Sequence, residues 1–209
     1  MGTNRERLDA LAYGDRKECL LHISRYFFAA DKIGEMCEAY KIESILDAAC
    51  GLGYGCLILI ANHPNKRVTG LDLSETAILH CKALYARRNV EYVCGDILKA
   101  PRTDAIVCME TIEHVPNWQE VFAYLVATSK VLIFSVPWKQ MANPESKMFH
   151  KAFGLYDQSF ADLIPEDHVA EWYCQRRIDA AILPLEEIGE EQRAFLIGVV
   201  RKDIGAKKK

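Results

Sequence analysis

Along this chain, short apolar runs alternate with longer segments whose apolar residues recur every three or four positions. The short runs, at 44–48, 67–72, 90–94, 104–109 and 130–136, read as buried strands. The longer segments read as helices. One covers 16–39, and one covers 54–62 and is stopped by His63-Pro64-Asn65. A third is capped by Ser74 with Glu75 in its first turn, and a fourth opens on Asn117 and Glu120 as N-cap and N3. Strands and helices in alternation predict an α/β fold: a doubly wound, seven-stranded, mostly parallel sheet with helices on both faces. Past Pro137 the pattern changes. Residues 138–153 form an irregular stretch rich in large side chains, and Asp157 starts a short helix. Strands near 168–175 and 194–201 then complete the sheet as an antiparallel edge hairpin.

The apolar stripes predict which faces are buried. In the leading helix, Leu20, Ile23, Phe27 and Ala30 repeat at helical spacing and should face the sheet, with His22, Arg25, Tyr26 and Ala29 as a neighbouring stripe. After Ser74 the stripe is Ile78, Cys81 and Leu84; after Asn117 it is Trp118, Val121, Phe122 and Leu125; after Asp157 it is Phe160, Leu163 and Ile164. The whole chain, 1–209, reads as a single domain: a helical lid over 1–40, a core over 41–203 and a flexible basic tail over 204–209, with 1–14 polar and mobile.

Candidate chemistry begins where the first strand ends. ILDAACGLGYGCLILIA, at 45–61, reads as strand, tight turn and helix, with Gly51, Gly53 and Gly55 close together. Glycines let the backbone turn sharply and let a ligand approach the main chain. The helix start offers N–H groups that lack intrahelical partners. This suits a nucleotide. Gly51 and Gly53 fit the dinucleotide fingerprint G-x-G-x-x-G, but its third glycine would fall at Cys56. Asp47, at the strand's carboxyl end, would repel a pyrophosphate and suits a ligand with positive charge and no phosphate. S-adenosylmethionine (SAM) is such a ligand. Asp72, about 20 residues further on, stands where a carboxylate grips ribose hydroxyls. Asp47 and Cys56 count against a remote alternative, an NAD-dependent oxidoreductase.

At this point the chain resembles the class I SAM-dependent methyltransferases. LDAACGLGYG resembles their glycine-rich first motif and LDLSE their second-strand acid. CGDIL, at 94–98, resembles their adenine-contacting segment; VCMETIEHV, at 107–115, the segment after strand 4; and LIFSVP, at 132–137, strand 5. The resemblance spans roughly residues 20–200 in the right order. It implies cofactor contacts at Asp47, Ala49, Gly51, Gly53 and Tyr54 in the turn, and at Asp72 and Leu73 after the second strand. It extends them to Asp96 and Ile97 at the adenine, and to Met109 and Glu110 after the fourth strand. Asp96 has a plainer reading as a turn residue after Gly95. Ala49 departs from the family, which most often has its first glycine there; a slight shift of the turn with binding retained is expected. The leading H-x-x-R-Y-x-x-A, His22 to Ala29, resembles a feature of one branch whose first helix lies over the cofactor. Arg25 would then pair with the SAM carboxylate; a solvated helix face with a core tyrosine is the equal alternative. His22 reads as solvated.

Glu110, Glu113 and His114 follow the fourth strand, and on a helical turn they would share one face. With His150 from the irregular stretch they form a candidate site for a divalent cation such as magnesium or manganese. The E-x-x-E-H run is similar to that of ubiquinone-biosynthesis O-methyltransferases. It is also similar to that of small-RNA 3′-terminal 2′-O-methyltransferases, whose further histidine lies in a segment that FHKAFGLYDQSF loosely resembles. A metal lowers the pKa of a bound hydroxyl and orients it. His114 as a metal-free general base, with Glu113, is a second reading; a structural role for both, with Glu110 on the SAM ammonium, is a third. The expected activity is methyl transfer to a hydroxyl of a small-molecule or carbohydrate-like acceptor. The alternative is a metal-dependent RNA 3′-terminal ribose 2′-O-methyltransferase. The acceptor pocket should draw on the leading helix, the Glu110–His114 segment and 138–153, where Trp138, Met141, Met148, Phe149 and Phe153 supply apolar walls or core.

Composition changes this picture little. A net charge of −3 and no basic stripe count against nucleic acid. No apolar run approaches a membrane span, and MGTNRERLDA does not read as a signal peptide. The eight cysteines form no C-x-x-C pair, so they read as reduced core residues of a cytoplasmic protein without a zinc site. The terminal lysines read as a frayed end.

Overall fold

A computed structural model describes residues 16–143 and 146–205. The expected mobile start at 1–14 and the terminal lysines lie outside the described residues. The chain divides into two compact units, Met1–Pro101 and Arg102–Lys209.

The first unit runs α1 (Arg16–Tyr40), β1 (Ser44–Ala48), α2 (Tyr54–Asn62), β2 (Arg67–Asp72), α3 (Glu75–Leu84) and β3 (Val90–Cys94). Its strands lie in the order β3-β2-β1, all parallel, with Asp47 opposite Gly70 and Asp72 opposite Cys94. The turns after all three strands therefore leave the same end, and these turns carry Gly51, Leu73 and Asp96. Helix signals read from the chain work as expected at α2 and α3. The His63 N–H closes α2 on the Leu59 carbonyl, and the Ser74 hydroxyl accepts from Ala77 N at 3.2 Å. Leu84, though, is exposed, while Ile78 and Cys81 are buried.

The leading helix buries a different face from the expected one. Leu20 and Phe27 are 52% and 46% exposed, whereas Leu21, Arg25, Tyr26, Ala29, Ala30 and Ile33 are buried. Apolar residues lie on more than one side of α1, so spacing alone did not single out one face. Contacts that spacing cannot see decide it: α1 packs on α2, and Tyr26 reaches the Asp47 carboxylate.

The second unit runs β4 (Ala105–Met109), α4 (Trp118–Thr128), β5 (Val131–Pro137), α5 (Ser146–Phe149), α6 (Asp157–Ala161), β6 (His168–Arg176), β7 (Ile182–Pro184) and β8 (Arg193–Lys202). Strand order is β4-β5-β8-β6-β7; β4 and β5 are parallel and the remaining pairs antiparallel. The expected hairpin partners do pair, but β8 lies inside, between β5 and β6. The described residues hold eight strands where seven were expected, because the three-residue β7 outside β6 is too short to leave a pattern. Phe122, Phe134 and Phe160 fill the core of this unit with ring centroids 4.7 to 5.2 Å apart, each fully buried. Asn117 does stand at the N-cap of α4, but its amide donates to the Glu120 carboxylate at 2.7 Å and its side chain makes no cap hydrogen bond, so no capping box forms.

Candidate functional site

In the first unit one of the expected carboxylates, Asp72, holds the glycine turn, and the other, Asp47, is bonded to the flanking helices. Asp72, 5% exposed, ends β2. Its Oδ2 accepts from Gly51 N at 3.0 Å and its Oδ1 from Ser74 N at 2.8 Å. Gly51 and Gly53 have φ of 55° and 88°, the left-handed region that glycine enters without strain. A side chain at Gly53 would strike Cys81 Sγ and the Tyr92 ring, whereas nothing lies within 4 Å of the space over Gly51. The open face of the turn is thus at Gly51, beside Asp72, where a ligand can reach the main chain. Leu73, next in line, is 70% exposed and leaves an apolar face free.

Ala49 keeps the turn's left-handed backbone, with φ of 61°. An L side chain in that conformation is strained by about 1–2 kcal/mol.

Asp47 is fully buried. Its Oδ1 accepts from the Tyr26 hydroxyl at 3.1 Å and its Oδ2 from Cys56 Sγ at 3.3 Å. Burial pushes its pKa up to about 7 against the two hydrogen bonds, and burial also pushes the Tyr26 hydroxyl well up. Asp47 thus ties α1 and α2 to the end of β1. Cys56, the residue that breaks the dinucleotide fingerprint, has this contact as its physical reason. Arg25 is fully buried on α1, so the solvated-face alternative does not hold. Tyr54 is 6% exposed and its hydroxyl meets His22 Nδ1 at 3.2 Å. His22 is therefore engaged, with Glu18 3.3 Å from its other nitrogen, where solvation was expected. Asp96 caps a short 3-10 turn, accepting from Leu98 N at 3.0 Å, and Ile97 beside it is buried.

In the second unit, Met109 ends β4, 8% exposed, and Glu110 follows with φ of 49°. The Glu110 carboxylate accepts from the Ser135 hydroxyl at 2.7 Å. Ile112–His114 is then a 3-10 turn. The left-handed step at Glu110 breaks the helical turn that would have put it on one face with Glu113 and His114. Of the four expected ligands the structure gathers three: atoms of Glu113, His114 and His150 all lie within 4.8 Å of one another, and Glu110 is not among them. Ser135 left no sequence signal of its own, because its partner is 25 positions away.

His114 Nδ1 lies 3.2 Å from the Phe149 carbonyl. That contact needs a proton on Nδ1, which leaves the lone pair of neutral imidazole on Nε2. Nε2 is 3.8 Å from Glu113 Oε1, and Glu113 is 2% exposed. The His114 and His150 rings meet edge to face, with centroids 4.6 Å apart. Nδ1 of His150 is buried with no hydrogen-bond partner. Burial and the neighbouring His114 lower the His150 pKa, which favours the neutral form that binds metals. One buried carboxylate and two imidazoles, one of them with an orphaned ring nitrogen, are a donor set that fits a divalent cation. The five apolar residues of the irregular stretch divide: Met141 and Met148 are exposed, at 78% and 68%, and Trp138, Phe149 and Phe153 are partly buried. All eight cysteines are free, and none of the described helices is long and apolar enough to cross a membrane.

Residues 45–131 match the family model described as a methyltransferase domain. The ubiquinone biosynthesis O-methyltransferase of Coxiella burnetii is 38% identical over 104 residues, 46% of this chain and 44% of that protein. The trans-aconitate 2-methyltransferase of Klebsiella pneumoniae is 26% identical over 153 residues, 69% of this chain and 58% of that protein. The chain thus spans about half the length of the curated relatives it matches. Among solved structures, the plantazolicin methyltransferase BpumL in complex with SAH superposes with a TM-score of 0.66 at 16% identity, over 96% of this chain and 91% of that one. The methyltransferase domain of bacterial CtHen1-C superposes with a TM-score of 0.65 at 17% identity, over 87% and 98%. Residues 45–131 are thus similar to a methyltransferase domain, and the chain shares its fold with these SAH-bound and methyltransferase-domain structures.

Proposed function

We propose that this chain transfers the methyl group of SAM to a hydroxyl of a small-molecule or carbohydrate-like acceptor. The observation that carries the hydroxyl reading is the convergence of Glu113, His114 and His150 just beyond β4. A sulfonium methyl carbon is already electrophilic, so the protein has two tasks: alignment, and removal of the acceptor's proton. In the transfer an oxygen–carbon bond forms, the carbon–sulfur bond breaks and the sulfur leaves as a neutral thioether.

The donor's residues follow from the first unit. Asp72 offers charge-assisted acceptors for ribose hydroxyls, a contact of about 1.5–3 kcal/mol. The open face at Gly51 admits the donor to the main chain, and Leu73 and Ile97 flank the adenine beside Asp96. Asp47, Ala49, Gly53 and Tyr54 shape that turn, and Asp47 acts through Tyr26 and Cys56. Arg25 is the proposed partner of the donor's carboxylate, as Met109 and Glu110 are its proposed contacts after β4.

The proton goes to His114. Its Nδ1 is held by the Phe149 carbonyl, so Nε2 receives the acceptor's proton and Glu113 stabilises the imidazolium that results. In place of that base, a divalent cation such as magnesium or manganese, held by Glu113, His150 and the same Nε2 of His114, would supply Lewis-acid polarisation of the hydroxyl. The same cluster favours a second reading, metal-dependent 2′-O-methylation of a terminal RNA ribose; the net charge of −3 disfavours it. Transfer of radiolabelled methyl from SAM to a panel of hydroxyl acceptors and to a short RNA, with and without chelator, tests the reading. Label in an O-methyl product supports it. Label only on nitrogen or carbon, or none on any acceptor, overturns it.

A further inference from the structure

Two residues of left-handed backbone stand at the base of the segment that carries His150. Lys139 N donates to the Leu155 carbonyl and Gly154 N to the Gln140 carbonyl, each at 2.9 Å, so the chain leaves and returns through a pair of hydrogen bonds. Gly154 has a φ of 68°, which glycine enters without strain. Lys139 has a φ of 42°, which strains an L side chain. Such a residue persists where its surroundings over-determine it. At Lys139 the side chain supplies that hold.

The Lys139 ammonium lies 2.7 Å from the carboxylate of Glu190, just ahead of β8, and 5.2 Å from the ring centroids of both Trp138 and Tyr156. Trp138 is itself fixed. Its N–H donates to the Ala194 carbonyl at 2.9 Å. The Arg193 guanidinium, which donates to the Ile188 and Leu185 carbonyls, stacks 4.6 Å from its ring centroid. Trp138, Lys139, Tyr156 and Arg193 form part of the wall of a cavity of about 710 Å³. Tyr156 lies on the returning side of the segment's base and Trp138 on the outgoing side. The lysine therefore staples the two sides together. An exposed ion pair alone holds little; here two ring faces act with it on one short base. Glycine at this position would remove the strain and lose the staple.

Beyond the base, the same segment holds the acid–histidine cluster. Lys151 N and Ala152 N both donate to the Glu113 carbonyl, at 2.7 and 3.0 Å. The Phe149 carbonyl lies 3.2 Å from His114 Nδ1 and keeps the proton there. His150, next along, brings its ring edge to face with His114. Lys139 belongs to none of these contacts, so it acts on the cluster through the segment alone.

We infer that Lys139 is a positioning residue of the Glu113–His114–His150 cluster: its side chain holds the base of the 139–155 segment together and so keeps the Phe149 carbonyl on His114 Nδ1. This rests on the reading of His114 as the proton acceptor and deepens it. Nitrogen-15 NMR of the histidine rings, SAM titration and radiolabelled methyl transfer on the full chain test it in Lys139→Gly, Lys139→Ala and Lys139→Arg. In the glycine and alanine variants His114 should lose part of its Nδ1-protonated population. In both, kcat should fall about 10- to 100-fold, the scale of a misplaced catalytic group, with the SAM Kd unchanged. Lys139→Gly should nonetheless resist urea better than Lys139→Ala, because only alanine keeps the strain. Lys139→Arg, which keeps a cation against both rings and Glu190, should restore the tautomer and kcat. The inference is overturned if the glycine and alanine variants, shown folded by circular dichroism, keep the native His114 tautomer, or if Lys139→Arg is as impaired as Lys139→Ala. A shifted tautomer with native methyl transfer would keep the positioning role and defeat His114 as the proton acceptor. A native tautomer in the Lys139 variants, with transfer lost in His114→Ala, would do the reverse.

Discussion

Two acidic regions of this molecule are built on opposite plans. At the glycine turn of the first unit, Asp47 and Asp72 have both their oxygens hydrogen-bonded by the protein itself. At the cluster of the second unit, Glu113 is equally buried, yet His114 keeps a side chain 33% exposed and His150 holds a ring nitrogen with no partner. The first region is satisfied and rigid, with its open space confined to one glycine. The second leaves a ring nitrogen of His150 without a partner. Holding a donor of fixed shape calls for the first plan, and moving a proton calls for the second.

The largest expected effect tests that division of labour. His114→Ala should lower kcat by about 10²–10⁴-fold, the usual span for a general base, while the SAM Kd stays as it was. Loss of SAM affinity in that variant would break the contrast. Chelator should produce a similar loss, restored by magnesium or manganese, if the cluster works through a cation.

Next in size is the pH dependence carried by Asp47. Its carboxyl loses its proton near pH 4 when unfolded and near 7 when folded. Between those values the folded state binds one more proton than the unfolded, so this group's stabilisation falls as pH rises from about 4 to 7 and levels off above. A shift of that size corresponds to at most about 4 kcal/mol. Urea unfolding at pH 5 and pH 8, compared between the native chain and Asp47→Asn, isolates it. The native chain should lose more stability between the two pH values than the variant. Equal losses would mean the carboxyl is ionised across the range.

The smallest effect sharpens the account of the turn. Ala49→Gly should raise stability by about 1 kcal/mol, because the left-handed φ of 61° no longer strains a side chain. A lowered Tm would show that the turn draws support from the Ala49 methyl.

The first unit was largely legible in the sequence. Its strands lie where short apolar runs mark them, β1 buried along nearly its whole length and β3 with exposed residues among its buried ones. The glycine turn and Asp72 were legible too, because a tight turn restricts residue type locally. The face of α1 was not: it is chosen by Tyr26 reaching Asp47, 21 positions away. In the second unit β7 is too short to show a period. Glu110 leaves the cluster because of one left-handed residue, which no spacing rule registers. The cavity wall built by Trp138 and Arg193 joins residues far apart in sequence, and their pairing exists only once β8 has entered beside β5.

The central claim is that the turn at Gly51 and Asp72 holds SAM. Calorimetric titration of SAM into the native chain and into Asp72→Ala tests it most directly. One molecule should bind the native chain, and the variant should bind about 10- to 100-fold more weakly, the loss of a charge-assisted contact. No heat with the native chain, or equal affinity in the two, would contradict the account.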